Sequence, residues 1–335
     1  MTDRRADDLF FGIDFQINAG IVLMIEHIKD ATFIRMESDK EDIEIELNNK
    51  CSILAQAKSV VNASTDFKNV LEKLKKALLS LSEGADKCNA DKLIYITNSP
   101  SPFNDKDMNT IFALHAHRSF DSLPPKAKEI ILQNMPKNKK FNPKHFFIQV
   151  LPFESDDEKE RYKFVKQTID DFIGQLNLST SGLCLKFHDA LSNSIFRNGS
   201  QHNLNIKISK QQFIWPLIVI ETDIKRYDDK ILELIDESLH DEILDKYKDI
   251  INDHCEKFEF VTKVLSDYLS FKENNKVGNT NSINFFINSI WENYIDNISV
   301  PSMNREIEEG LIKIILYSII KRRTTIQSIK EYTNL

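Results

Sequence analysis

The stretch EDIEIELNNKCSILAQAK at 41–58 constrains the fold of this chain more than any other. Polar and apolar residues alternate through Asp42, Ile43, Glu44, Ile45, Glu46 and Leu47, the period-2 pattern of a strand whose successive side chains leave opposite faces. Asn48, Asn49 and Lys50 are turn residues, and 51–61 resumes as a second strand rich in small and β-branched side chains. Together they predict a hairpin. Further on, 92–97 (KLIYIT) reads as a short buried strand. Between the two, Phe67, Val70, Leu71, Leu74, Leu78 and Leu81 recur at helical spacing, with Asp66 placed to cap the helix and Gly84 to end it. A helix crossing between two strands makes them parallel neighbours, so the sheet is expected to be mixed.

Periodicity divides the rest of the chain. Ile13, Ile17, Ile21, Met24, Ile25 and Ile28 make 12–29 a helix apolar nearly all round, which implies burial. Segment 31–36 is strand-like, 145–151 is a further strand, and 156–176 is an amphipathic helix. From about residue 221 the spacing is helical through 228–251, 253–272, 282–298 and 304–331, with polar breaks between. The expected class is α/β: a mixed sheet flanked by helices over 1–220, followed by a mainly helical domain over 221–335. A chain of 335 residues has room for two such domains.

The helical spacing and the sheet do not reveal chemistry, but the residue types at 42, 56 and 58 do. Gln56 and Lys58 alternate on one strand and so share a face, and pairing with the preceding strand lets Asp42 stand on that face too. A carboxylate, an amide oxygen and an ammonium would then meet in one small volume. Hydrolysis of a phosphodiester needs an activated water and a cation near the charge that develops on phosphorus. Mg²⁺ supplies both from hard oxygen ligands, and Lys58 can hold the water or offset charge. Taken singly these residues read otherwise: an alternating acidic strand is commonly a solvated edge, and Gln-x-Lys is a short motif. Their order, with Gly12-Ile-Asp-Phe-Gln16 upstream and Glu37 closing the first strand, is the more specific signal.

That ordered set resembles the PD-(D/E)xK nuclease superfamily in its Gln-x-Lys (Mrr-like) branch. More narrowly, it resembles the endonuclease domain of anti-phage effectors, including CD-NTase-associated, Lamassu-type and HerA-linked systems. The quoted motifs lie within 10–60, and the family domain would extend to about residue 220. The resemblance implies a restriction-endonuclease-like fold and a Mg²⁺- or Mn²⁺-dependent cut in double-stranded DNA. By it, Asp42 is the metal-binding acid, Gln56 replaces the usual second acid, and Lys58 is the catalytic lysine. Glu26 and Glu44 are further candidate ligands. The resemblance also implies control by self-assembly or by a sensor or ATPase partner.

Other features bound the function. Fifty-one acids against 44 bases, a net charge of −7, argue against a surface coated in nonspecific nucleic-acid affinity, while leaving room for a local basic groove. Lys137, Lys139, Lys140 and Lys144 form a proline-flanked basic loop, read either as solvated or as a DNA-backbone contact. His115-Ala-His117 lies where the pattern reads helical, and residues i and i+2 of a helix do not face each other. Cys51, Cys88, Cys184 and Cys255 have no C-x-x-C spacing, which suggests reduced thiols rather than zinc or disulfides. No Gly-x-x-x-x-Gly-Lys phosphate loop is present, so the chain is not itself a P-loop ATPase. The N-terminus lacks a signal-peptide pattern, and no apolar run is read as reaching the ~20 residues that span a bilayer, so a cytoplasmic protein is expected. The run at 310–320 reads as a core helix of the C-terminal region. Two alternatives remain: a non-catalytic DNA-binding or scaffolding subunit with the same fold, and an RNA substrate, which the lack of an aromatic–basic strand pattern disfavours.

Overall fold

The computed structural model describes residues 6–61, 69–113, 115–136, 141–154, 156–178, 182–222, 229–275, 282–298 and 303–335. They form two compact units, Met1–Leu217 with Tyr332–Leu335, and Ile218–Glu331.

The first unit is α/β. In chain order it contains α1 (Asp7–Glu26), β1 (Ala31–Met36), β2 (Ile43–Leu47), β3 (Ser52–Lys58), α2 (Val70–Lys87), β4 (Ala90–Thr97) and β5 (Ala116–Ser119). Then come α3 (Pro125–Asn134), β6 (Phe146–Val150), α4 (Glu158–Arg161), α5 (Lys163–Gln175), α6 (Leu183–Gly199), β7 (Ile208–Ser209) and α7 (Lys210–Thr222), whose last five residues fall in the second unit. The strands form one open 7-stranded sheet in the order β5-β6-β4-β3-β2-β1-β7. β1, β2 and β3 pair antiparallel, whereas β3, β4 and β6 run parallel. Both edge strands, β5 and β7, are antiparallel to their neighbours. The expected hairpin and βαβ step are both present, and the sheet is mixed.

Each face of the sheet has its own cover. Leu54, Leu93, Tyr95, Phe146 and Ile148 pack with Leu74, Leu78 and Leu81 of α2. The alternate residues Ile53, Ala55, Ile94 and Ile96 are buried on the opposite face. There α1 lies close enough that a Cβ on Gly20 would stand 3.5 Å from Cδ1 of Ile34 and 3.0 Å from Sδ of Met36. Cover on both faces explains why the central strands read as nearly continuous apolar runs. It also settles the reading of β2, which is a central strand rather than a solvated edge: Glu44 is only 3 % exposed.

Several boundaries differ from the expectations. α1 begins at Asp7, is 20 residues long and contains an 18-residue window with a mean hydropathy of 1.5, so by length and composition it could cross a membrane. Phe11, Phe15 and 18–25 are buried within the protein. It is the only such helix among the described residues. β3 stops at Lys58, short of 61. Asp66 lies outside the described residues, and α2 starts after Asn69, whose φ of 64° is left-handed. Gly84 does not end α2, which continues to Lys87. Its role is a close approach, since a Cβ there would stand 2.7 Å from the Lys40 carbonyl oxygen. Tyr162 divides the expected 156–176 helix into α4 and α5. His117 is on strand β5, not a helix.

The second unit is helical: α8 (Asp229–Leu232), α9 (Glu237–Glu256), α10 (Phe258–Asn275), α11 (Ser282–Ile290), α12 (Ile295–Ile298) and α13 (Arg305–Thr333), the last of these running two residues beyond it. Ile243, Ile251, Val264, Phe286, Tyr294, Leu311, Ile312 and Ile315 share one core. The 310–320 run is thus a core helix segment, as its apolar pattern suggests.

Candidate active site

The sheet register assembles the site. Ile43 pairs with Ala55, which sets Asp42 beside Gln56, and on the other side Met36 pairs with Ile43. The Glu37 N–H then donates to the Asp42 carbonyl at 2.8 Å. Glu37, Asp42 and Gln56 therefore stand abreast at the ends of three successive strands. Lys58 lies two residues beyond Gln56 at the last position of β3.

One oxygen is the focus. Asp42 Oδ2 accepts from Gln16 Nε2 at 2.9 Å, from the Ala57 N–H at 3.3 Å, from Lys58 Nζ at 3.3 Å, and from the Gln56 amide. The three residues expected to act together are brought together. Gln16, contributed by α1, joins them and also hydrogen-bonds the Glu37 side chain. Partial burial, then the adjacent Asp42 carboxylate, push the Glu37 carboxyl above its ordinary range. Glu41 is buried, and burial moves its carboxyl up to about 7; a hydrogen bond from Ser80 opposes the rise, Asp42 adds to it, and the Asp42 N–H bonded to Oε2 opposes it again.

The other candidates go elsewhere. Glu44 stays on β2 but forms an ion pair with Lys40 and accepts from the Ser52 hydroxyl at 3.4 Å, bracing the hairpin. Glu26 is ten positions after Gln16 on α1, so at 1.5 Å per residue it is about 15 Å along the axis. It accepts from Gln149 at 3.0 and 3.2 Å; the residue as a whole is exposed, and desolvation by the protein packed around its carboxyl raises that group. Neither residue reaches Asp42. Lys144 is exposed in a turn just before β6, whereas Lys58 is level with Thr97 and Val150 at the other end of the parallel strands. The five residues of β6 lie between Lys144 and that level, roughly 15 Å. Lys137, Lys139 and Lys140 lie outside the described residues. His115 and His117 take separate ring partners, Phe164 at 4.1 Å and Phe147 at 5.4 Å. Burial holds His117 down to about 4.

The residues at hand suit one hard cation. Among the described residues no three His, Cys, Asp or Glu side chains gather into a ready metal cage. Mg²⁺ does not require one, because it keeps several waters and accepts one or two protein carboxylates. Asp42 is such a carboxylate, and the two ends of the Gln56 amide exchange places by rotation, so the group that donates to Asp42 can also present an oxygen. Lys58 supplies a charge within reach of the same volume.

Sequence reasoning left three site residues without a role: Gln16, Glu37 and Glu41. Gln16 and Glu37 were visible as motif positions, but nothing local tells that their side chains meet. A second buried network was invisible. His188 Nε2 lies 2.8 Å from Asn18 Oδ1, Asn18 donates to Asp14 Oδ1 at 2.9 Å, and the Tyr162 hydroxyl donates to Asp14 Oδ2 at 2.8 Å. This braces α1 against α6 and the α4–α5 junction. The chain matches no family model, no curated protein and no solved structure.

Proposed function

We propose that this chain is a Mg²⁺- or Mn²⁺-dependent endodeoxyribonuclease of the PD-(D/E)xK type, in its Gln-x-Lys branch, serving as the effector of a bacterial anti-phage system. The observation that carries the reading is the convergence of Gln56 and Lys58 on Asp42 Oδ2 at the end of β3. The bound cation would supply Lewis acidity at phosphorus and a more acidic water. Asp42 and the Gln56 amide oxygen would hold it. Lys58 orients the attacking water and offsets charge on the phosphate oxygens. Gln16 fixes the Asp42 carboxylate in place through its 2.9 Å hydrogen bond. Double-stranded DNA is the proposed substrate, in the cytoplasm. The helical region is proposed to regulate, oligomerise or dock on a sensor or ATPase partner, since an unregulated DNA nuclease would damage its host.

Plasmid cleavage tests this. The full chain, alone or with its partner, should nick or linearise supercoiled DNA only with Mg²⁺ or Mn²⁺, and Asp42→Ala and Lys58→Ala should each lose about a hundredfold or more of the rate. Variants as active as the wild type would overturn the site. DNA binding without metal-dependent cleavage, alone and with the partner, would favour the scaffolding role instead.

A further inference from the structure

Asp42 is short of charge for its task. In the proposed site Gln56 occupies the place of a second acid, so a dication would meet a single carboxylate opposed by the Lys58 ammonium 3.3 Å away. The nearest replacement in the register is Glu37. Its N–H bonds the Asp42 carbonyl at 2.8 Å, and the Gln16 amide that donates to Asp42 also hydrogen-bonds the Glu37 side chain. Glu37 holds φ at 49°, and apart from Lys50, in the β2–β3 turn, the described non-glycine residues with positive φ are all asparagines. Asparagine tolerates the left-handed region; glutamate has no local bond to offset its cost there, and such strain persists where the surroundings enforce it. A glycine would fit this backbone more easily, so the glutamate side chain has a use of its own.

A second buried acid adjoins Asp42 in the chain. Glu41 is 5 % exposed, and its Oε1 is buried without a hydrogen-bond partner. Ser80 of α2 hydrogen-bonds the same carboxyl, and the charges acting on it are those of its neighbour Asp42 and of Lys58. An orphaned buried carboxylate oxygen is costly unless something electropositive satisfies it.

We infer that Glu37 is the second carboxylate ligand of the divalent cation, taking over from β1 the role that Gln56 gives up on β3. This rests on the nuclease reading of the Asp42 site. It relocates the negative charge of the metal site to the β1–β2 loop, and it leaves Gln56 as a neutral ligand beside two acids.

Mn²⁺ binding to the full-length chain, followed by electron paramagnetic resonance of the free ion, tests it without reference to cleavage. The wild type should bind Mn²⁺, and Asp42→Asn should abolish binding. Glu37→Gln should weaken binding about tenfold or more, because affinity for a hard cation follows the number of charged ligands. Adding Gln56→Glu to Glu37→Gln should recover most of the loss, a rescue that a merely structural role for Glu37 would not give. Glu37→Gly should lose affinity equally while melting no lower than the wild type. Loss in Asp42→Asn with unchanged affinity in Glu37→Gln overturns the inference and leaves the nuclease site standing. Unchanged affinity in both, or no binding by the wild type, overturns the metal site itself and the inference with it.

Discussion

Arg35 shows what a single side chain carries in this unit. It is 1 % exposed, and its guanidinium donates to the carbonyls of Asn198, Gln201 and Ile206 at 2.6, 2.7 and 3.0 Å. It thereby closes the end of α6 against β1. Arg35→Met would strand the Gln201 carbonyl and leave those of Asn198 and Ile206 only the Gln201 N–H and the Asn198 amide, so urea unfolding should show a loss of about 1–3 kcal/mol. Arg35→Lys should recover little of it, since an ammonium cannot fork to three acceptors as a guanidinium does. His27 and His117 make a pH prediction. Burial lowers both from 6.5 to about 4, so the folded protein binds fewer protons than the unfolded chain between those values. Stability is therefore full above about pH 6.5 and falls as the pH drops towards 4. Melting temperatures should decline across that window, and replacing His117 by Gln should flatten the decline. A profile unchanged by the substitution would mean that His117 is not the group responsible. Neither the burial of Arg35 nor that of His117 was legible in the sequence, because their neighbours come from segments far away in the chain.

At the scale of elements, hydrophobic pattern was a good guide wherever an element packs on its own periodicity. α2 was readable because it presents one regular apolar face to the sheet, and β2, β3, β4 and β6 because cover on both faces gives them short apolar or alternating runs. β5, β7 and α6 were not read: β7 has only two residues, and β5, in the HAHR stretch, carries no apolar alternation and exists because β6 offers it an edge. A glycine at the end of a helical apolar run suggests a terminator, whereas Gly84 is required by the approach of α2 to Lys40. Gly84→Ala should cost about 1–3 kcal/mol, because backbone rather than a flexible side chain must give way. Lys40 belongs to the loop bearing Glu37 and Asp42, so the same substitution should weaken Mn²⁺ binding without touching a ligand. If the protein loses stability but keeps full affinity, the loop is insulated from α2.

For the whole molecule, the ends of the chain matter as much as its middle. Lys210, 8 % exposed, donates to the carbonyls of Lys29, Thr333 and Asn334 at 3.0, 2.8 and 3.3 Å, and Thr333 is fully buried. The last four residues thus complete the first unit. Deleting 332–335 from the full chain should destabilise that unit by about 1–3 kcal/mol, the cost of leaving a buried ammonium with only the Lys29 carbonyl of its three acceptors, and Lys210→Met should offset part of the deletion. Equal unfolding midpoints for the truncated and complete chains would show that the tail contributes nothing. What the sequence determined by itself was local and periodic: which segments are strands and helices, that the sheet is mixed, that a helical region follows, and that Asp42, Gln56 and Lys58 can share a face. These depend on side-chain direction repeating every two or 3.6 residues, which any short window contains. Only the tertiary structure decided that Gln16 and Glu37 join Asp42, that Glu26, Glu44 and Lys144 do not, and that the C-terminus returns to the sheet unit. Those outcomes depend on strand order and on contacts between distant segments, which no local period encodes.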